Sequence, residues 1–425
     1  MLDLTEALKA TESLSEGKEG LSSVLFYQSE HCRELVSEVF SYDALGAPDI
    51  HSMKPTAWGD YFAHTTMALD LVLIELTSCD DVIAKVNELA PQIPNTASVV
   101  VIGKEDAIST IRSLKEMGFY YVFWPVVKAE FSDFMRHVIN NHHGGKGLGK
   151  ERKAKRIAVV GAKGGVGASL IACELASFLH RETHSKVMLV DHNYCDSNLD
   201  VLLGIEEYTK LDISKSSVQL TQLDEDSAQA LLHKDCDGVA LLAVDGLKAS
   251  ISDCNKQSDA MVSLLLRRYN LVVEDFSSSR EFPLDYMAFC EHYDSVIVIA
   301  DPTVSAVRSA KRIMHNLDLA ARNSLKTPRS ILVLNQHRTF RDGVLYTKEI
   351  EQQLKRKIDV EVAYEKSIPS VLLSGKRFTT MRGRFSSRML DLAALVLGRK
   401  ITKKSNPLKE LVEDLRIKLI ERSAK

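Results

Sequence analysis

Residues 157–179 read IAVVGAKGGVGASLIACELASFL, an apolar strand-like run, a glycine-rich turn and an amphipathic segment of helical period, in that order. Gly161, Gly164, Gly165 and Gly167 let the backbone turn tightly and aim successive N–H groups at phosphate oxygens, and the start of the following helix adds partial positive charge. The loop continues through Val166, Ala168, Ser169 and Leu170, with Ser169 standing where a phosphate loop supplies the hydroxyl for magnesium. The blander reading is a tight strand-to-helix turn with no ligand. The clustered glycines together with Lys163 weigh against it.

Downstream of this stretch, VMLV, VALLAV, LVVED, SVIVIA and ILVLN supply further apolar runs, with helical segments between most of them. The pattern predicts a doubly wound parallel α/β domain over 157–400. Upstream, SSVLFY, DLVLIEL, SVVVIG and YYVFW alternate with helical segments such as IAKVNELA, which predicts a first, smaller α/β unit over 22–142. Between them, residues 143–156 (HGGKGLGKERKAKR) combine four glycines with six lysines and arginines, the composition of a linker. Residues 1–21 form an N-terminal extension. In 401–425, Leu408, Leu411, Val412, Leu415 and Leu419 share one helical face against a mixed-charge face, which favours packing on protein over a membrane.

The length of 425 residues exceeds one ordinary core, in keeping with two domains. A formal charge of -3 removes the global basic excess that would by itself favour nucleic acid, so any such contact is local. The seven cysteines are scattered and never form C-x-x-C, which argues against a disulfide framework and a zinc site and for a reducing cytoplasm. The first twenty residues lack the apolar centre of a secretory signal, and no run approaches the roughly 18 apolar residues that span a bilayer.

The glycine loop resembles the deviant Walker A loop, K-G-G-x-G-K-[ST], of the ParA/MinD ATPases. The resemblance implies that Lys163 is the signature lysine that reaches the partner subunit's phosphates in an ATP-bound homodimer. Ala168 departs from the pattern, standing where a second lysine contacts the β and γ phosphates. VMLVDHNYCDSNLD is similar to the family's second strand and switch I; Asp191 matches, while Asn193 replaces the aspartate that orients the attacking water. An amide can hydrogen-bond water but cannot act as a base. YNLVVEDFSSS looks like the Walker B strand, with Asp275 as the magnesium aspartate and Glu274 pointing to the opposite side. Both aspartates could alternatively be ordinary strand-end turn residues.

SVIVIADPTVSAVRSAKRI resembles the strand and helix lining the switch region. In ILVLNQHR, Asn335 matches the residue that reads adenine, and Ile368 and Pro369 of SIPS match the backbone bordering the base. Gln336 and Arg338 break an N-K-x-D guanine signature, so the resemblance implies ATP with Mg2+. Asn335 could also be a simple turn residue.

The first unit resembles a response-regulator receiver with a flavodoxin-like fold, but a degenerate one. Gln28, Ser29 and Glu30 follow strand one, Glu75 ends strand three, and Trp124 precedes Pro125 where lysine is expected. A degenerate receiver followed by this loop variant resembles the TadZ/CpaE family of the Tad (Flp, type IVb) pilus and secretion apparatus. That resemblance implies a cytoplasmic factor that dimerises with ATP, hydrolyses it weakly, marks the cell pole and recruits the secretion ATPase and other pilus assembly proteins, touching the membrane only indirectly.

Two alternatives remain open. One is a ParA-type partition ATPase that binds DNA non-specifically, an idea kept alive by Lys376, Arg377, Arg382, Arg384 and Arg388. The cluster could equally be a solvated helix face, so DNA is the less favoured partner. The other is a MinD-type or flagellar-number regulator, against which stand the missing basic membrane helix and the extra N-terminal domain.

Overall fold

A computed structural model describes residues 21–398, except 54–57, 59–60, 63–68, 144–147, 149–151, 196, 206–209, 213–223, 235–237, 247–249, 278–282, 339–344, 375–376 and 382. The expected C-terminal amphipathic helix, nearly all of the N-terminal extension, and Lys376 and Arg382 lie outside the described residues.

The first domain contains β1 (Ser23–Tyr27), α1 (Glu30–Tyr42), β2 (Asp49–Ser52), β3 (Leu71–Glu75), α2 (Val82–Leu89), β4 (Ser98–Gly103), α3 (Ile108–Glu116), β5 (Tyr120–Phe123) and α4 (Lys128–His143). Its five strands are parallel in the order β2-β1-β3-β4-β5, the flavodoxin-like arrangement. The strand order reverses at β1, so the loops after β1 and β3 converge at the carboxyl edge of the sheet. There Glu75, fully buried, accepts hydrogen bonds from the backbone N–H groups of Gln28 (2.7 Å) and Ser29 (2.8 Å). The hydroxyls of Ser29 (2.7 Å) and Thr77 (2.8 Å) also donate to it.

The second domain runs β6 (Lys155–Gly161), α5 (Ala168–Thr183), β7 (Val187–Asp191), α6 (Leu199–Leu203), β8 (Leu211–Asp212), α7 (Glu225–Ala230), β9 (His233–Lys234), β10 (Ala240–Asp245) and α8 (Ile251–Leu265). It continues with β11 (Leu271–Phe276), α9 (Tyr286–His292), β12 (Ser295–Ala300), α10 (Val304–Arg322), β13 (Arg329–Asn335), α11 (Thr347–Leu354), β14 (Val360–Val362), α12 (Ile368–Leu373) and α13 (Arg384–Val396). The sheet order is β14-β13-β12-β6-β11-β7-β10-β8, parallel throughout, with short β9 antiparallel to β10. Helices cover both faces of such a sheet, which is why β11 and β12 are buried along their whole length and read as unbroken apolar runs apart from Glu274 and Asp275. Helix α5 is buried nearly all round, as its alanine-rich sequence allows. β6 lies between β11 and β12, where the order of connection reverses, and this places the loop after it in the crevice where doubly wound sheets bind ligands.

The structure differs from the linker expected over 143–156. His143 ends α4, while Lys155 already pairs with Leu271 as the first residue of β6. Arg152 is buried and donates to the carbonyls of Ile93 (3.1 Å), Pro94 (3.3 Å) and Ala97 (3.4 Å) of the first domain. Asn270 Nδ2 donates to the Ile93 carbonyl (2.7 Å), Asn95 Nδ2 donates to the Tyr269 carbonyl (2.6 Å), and the Ser185 hydroxyl donates to the Pro91 carbonyl. The arginines read as like charges opposing compaction are instead anchors, because a guanidinium can satisfy several carbonyls at once.

Candidate functional site: a phosphate loop beneath two opposed aspartates

The backbone of the glycine loop has the conformations its residues permit. Gly165 (φ +74°) and Gly167 (φ +84°) lie in the left-handed region, and Gly167 caps α5. A Cβ on Gly167 would lie 2.5 Å from Asn335 Nδ2. Asn335 is buried and donates through that nitrogen to the Val166 carbonyl at 2.8 Å, tying the end of β13 to the loop. Ala162 N donates to the Ile299 carbonyl at 2.8 Å, fixing the loop to β12 on the same side. Gly164 and Gly165 stay exposed and Ser169 half-buried at the mouth, whereas the Ala168 methyl is buried and carries no charge to the site.

Asp191 and Asp275 are the last buried acids of β7 and β11 and stand opposite each other in register. Alternation along each strand sends both carboxylates to one face and His192 and Glu274 to the other. Asp191 is satisfied by Asn193 N (2.8 Å) and by the Ser197 hydroxyl. The Ser169 hydroxyl and the backbone N–H of Ser277 lie close enough to Asp275 to favour its charged form, although neither closes a well-aligned hydrogen bond to it. Burial, and then the charge of Asp191, push the Asp275 carboxyl above the usual carboxylate range. Burial also raises Asp191, against the Ser197 hydroxyl. A buried carboxylate whose oxygens make no well-aligned hydrogen bond, beside a loop hydroxyl, fits a divalent cation of the Mg2+ type, which takes oxygen ligands.

Beneath this pair the sheet holds a second polar cluster. Glu274 receives Arg156 Nε at 2.7 Å and Nη2 at 3.0 Å, the Tyr293 hydroxyl at 2.7 Å, and faces His192 Nε2 at 2.9 Å. Burial alone would raise Glu274, but Arg156 and His192 outweigh it and hold the carboxyl at about 2. The His192 ring stacks on Phe276 with centroids 4.1 Å apart. Glu274 lies on the far side of its strand from Asp275, as the sequence pattern predicts; His192 belongs to no motif, and Arg156 reads from sequence only as part of a basic linker.

Lys163 folds back onto its own domain. Its Nζ lies 2.8 Å from Thr303 Oγ1 and 3.0 Å from Asp301 Oδ2. Burial acts to raise Asp301, but the Thr303 hydroxyl and Lys163 prevail and keep it below its ordinary value. Asp301 and Thr303 had a visible signal in ADPT at the end of an apolar strand. Ile368 and Pro369 open α12, the first half-buried against the core and the second exposed. The basic cluster is not a continuous surface: Arg377 is buried, donating to the Leu202 carbonyl (3.0 Å) and the Ser177 hydroxyl beside Glu174. Arg388 is exposed and pairs with Asp391 at 2.9 Å.

A glycine cradle at the sheet's switch point, closed by a loop serine and two opposed aspartates, is the arrangement of a P-loop nucleotide-binding domain. The chain is 26% identical over 174 residues to the septum site-determining protein MinD of Helicobacter pylori, covering 40% of this chain and 61% of that protein. It is 27% identical over 167 residues to the MinD of Synechocystis, covering 38% and 59%. The chain thus shares sequence homology with MinD, and it spans about three fifths of the length of the curated relatives it matches. A ParA family ATPase from Chlorobium tepidum aligns with a TM-score of 0.48 at 21% identity, covering 57% of this chain and 98% of that one. No family model matches the chain.

Proposed function

We propose that the protein is an ATP-binding, dimerising factor that marks a cell pole on the cytoplasmic side and assembles the Tad/Flp pilus secretion apparatus, hydrolysing ATP weakly. The observation that carries this reading is a selective loss. The glycine cradle, Ser169, Asp275 and Lys163 remain, while the positions for the second loop lysine and the water-orienting aspartate hold Ala168 and Asn193. Stabilising a transferring phosphoryl group depends on such positioned charges, so their absence slows turnover more than it weakens the bound state.

Gly161 to Leu170 would hold the phosphates of ATP, Ser169 and Asp275 its Mg2+, and Asn335, Ile368 and Pro369 would border the base. When bound, the metal would neutralise part of the phosphate charge. The chain's own contribution is orientation, because Asn335 fixes the loop through the Val166 carbonyl and the parallel ladder between β7 and β11 sets Asp191 opposite Asp275. The first domain serves as a recognition surface, with Glu75 occupied internally in the way a degenerate receiver would have it.

A MinD-type regulator is the second reading, favoured by the two curated matches. A DNA-binding partition role draws less support, since Arg377 is spent inside the fold. A fluorescent fusion at native expression separates these readings. A steady polar focus, with loss of surface pili but not of pilin synthesis on deletion, is the expected result. Oscillation or spreading over the nucleoid would replace the proposal with one of its rivals.

A further inference from the structure

The two domains enclose a cleft of about 280 Å³ on the side of the second sheet away from the phosphate loop, where β6 and β11 begin. One wall is formed by Asn87 of α2, Pro91 and Asn95 after it, and Met117 and Phe119 after α3. The other carries Arg152, Lys153, Lys155, Asn270, Leu271 and Asp294. The acids at the cleft are committed elsewhere: Glu116 takes Arg112 at 3.0 Å, and Asp294 takes Lys326 at 3.1 Å and the backbone N–H of Arg156 at 2.9 Å. Arg152 is committed as well, to three carbonyls. Lys153 and Lys155 have no ion pair or side-chain hydrogen bond among the described residues; Lys153 is exposed, and Lys155, at the foot of the cleft, is half-buried.

Withdrawing an ammonium from water without a partner is unfavourable unless something else supplies the counter-charge. Burial accordingly lowers the Lys155 pKa, with Asp294 opposing only in part. We propose that this cleft is a binding site for a small phosphate monoester, whose dianion sits between Lys153 and Lys155 and whose body rests on Met117. Two lysines two residues apart, Lys153 just before β6 and Lys155 at its first position, match a doubly charged oxyanion, and the side-chain amide of Asn87 supplies a neutral donor and acceptor. The volume lies near the lower end of ligand pockets, roughly 300 Å³, which limits the body to about the size of one aromatic ring or sugar. A ligand held there grips both domains at once, and it touches the first residue of the strand that ends in the phosphate loop at Gly161.

Phenyl phosphate is a suitable probe, titrated calorimetrically into the full chain with the phosphate loop first saturated with ADP and magnesium. The parent should bind one equivalent beyond the loop, and Lys155→Gln should weaken that binding at least tenfold while leaving ADP affinity unchanged. Lys153→Gln, at an exposed position that cannot disturb folding, should weaken it severalfold. Amide exchange should slow at 95 and 152–156 on binding. Absence of binding beyond the ADP site, or binding that both lysine variants retain in full, overturns the proposal.

Discussion

His192 Nε2 lies 2.9 Å from Glu274 Oε2, with both side chains fully buried beneath the strands that carry Asp191 and Asp275. Arg156 makes two further bonds to the same carboxylate and the Tyr293 hydroxyl another, so the charged residues Arg156, His192 and Glu274 form one buried network in the sheet. Removing one member leaves a buried charge uncompensated. Glu274→Gln should therefore cost about 3–5 kcal/mol in urea denaturation, whereas Arg156→Met, His192→Phe and Glu274→Val combined should recover most of it. The folded carboxyl sits at about 2, below its ordinary value of 4.5, so its stabilisation is present above the ordinary value and is lost as pH falls through the lower one. The parent should lose stability steeply across that acid window and the triple variant should not; equal slopes would show that the cluster does not set acid sensitivity.

The positive φ at Gly167 and the nearness of Asn335 make separate demands on one position. Gly165 has a similar φ, but no atom lies within 4 Å of where an alanine methyl would stand, so Gly165→Ala should cost about 1 kcal/mol from backbone strain alone. Gly167→Ala adds a contact of 2.5 Å with the Asn335 amide and should cost about 2–3 kcal/mol and at least tenfold in ATP affinity. Pairing it with Asn335→Ala should return part of the stability but not the affinity. Additive losses in that double-mutant cycle would mean the amide is not what Gly167 must avoid.

Asp275 is raised because burial and Asp191 both disfavour its charge. A carboxyl raised in the folded state contributes stability at low pH and loses it as pH rises through the folded value. Without metal, Asp275→Asn should therefore be more stable than the parent near neutrality, by about 1 kcal/mol or more. With magnesium and ATP the order should reverse, because the variant loses an oxygen ligand. Differential scanning fluorimetry with and without magnesium reads both halves; a variant less stable than the parent in both conditions would refute the assignment.

Glu75 already holds four donors at the carboxyl edge of the first sheet. Its two oxygens have no capacity left for a phosphoryl group or a metal, and Trp124 rather than a lysine follows β5. Acetyl phosphate should leave the mass of the intact chain unchanged. Glu75→Ala should cost about 2–4 kcal/mol, since it strands two backbone N–H groups and two hydroxyls in a buried site. A stoichiometric gain of one phosphoryl group within the first domain would contradict this.

What the sequence made legible follows from which forces act locally. The strands β6, β7, β11, β12 and β13 and the turn at Gly161 to Ser169 were readable because apolar period and glycine spacing are short-range signals. Asp191 and Asp275 were readable as strand-end acids in order. Arg152 and Arg156 were misjudged because a basic, glycine-bearing stretch looks solvated until its partners are known, and those lie 55 and 118 residues away in Ala97 and Glu274. Arg377 escaped for the same reason, its partners on α5 and α6 being about as distant as any in the chain.

Lys163 offers the last test, because the role proposed for it across a dimer excludes the contacts it makes within its own domain. In the monomer its ammonium is held by Asp301 and Thr303, with about a third of the side chain exposed. To serve a partner's phosphates it must leave them, and Asp301 then stays buried without its cation. A half-exposed ion pair of this kind contributes about 0.2–1 kcal/mol, so its loss shifts the equilibrium by a few fold at most. Asp301→Asn should accordingly lower the protein concentration at which ATP drives dimerisation by about two- to fivefold in light scattering. Lys163→Ala should abolish that dimerisation, and the double variant should behave as Lys163→Ala does. If Asp301→Asn instead weakened dimerisation as much as Lys163→Ala, Asp301 would be positioning the lysine for the partner rather than holding it back. If Lys163→Ala dimerised normally, the lysine would have no role across the interface.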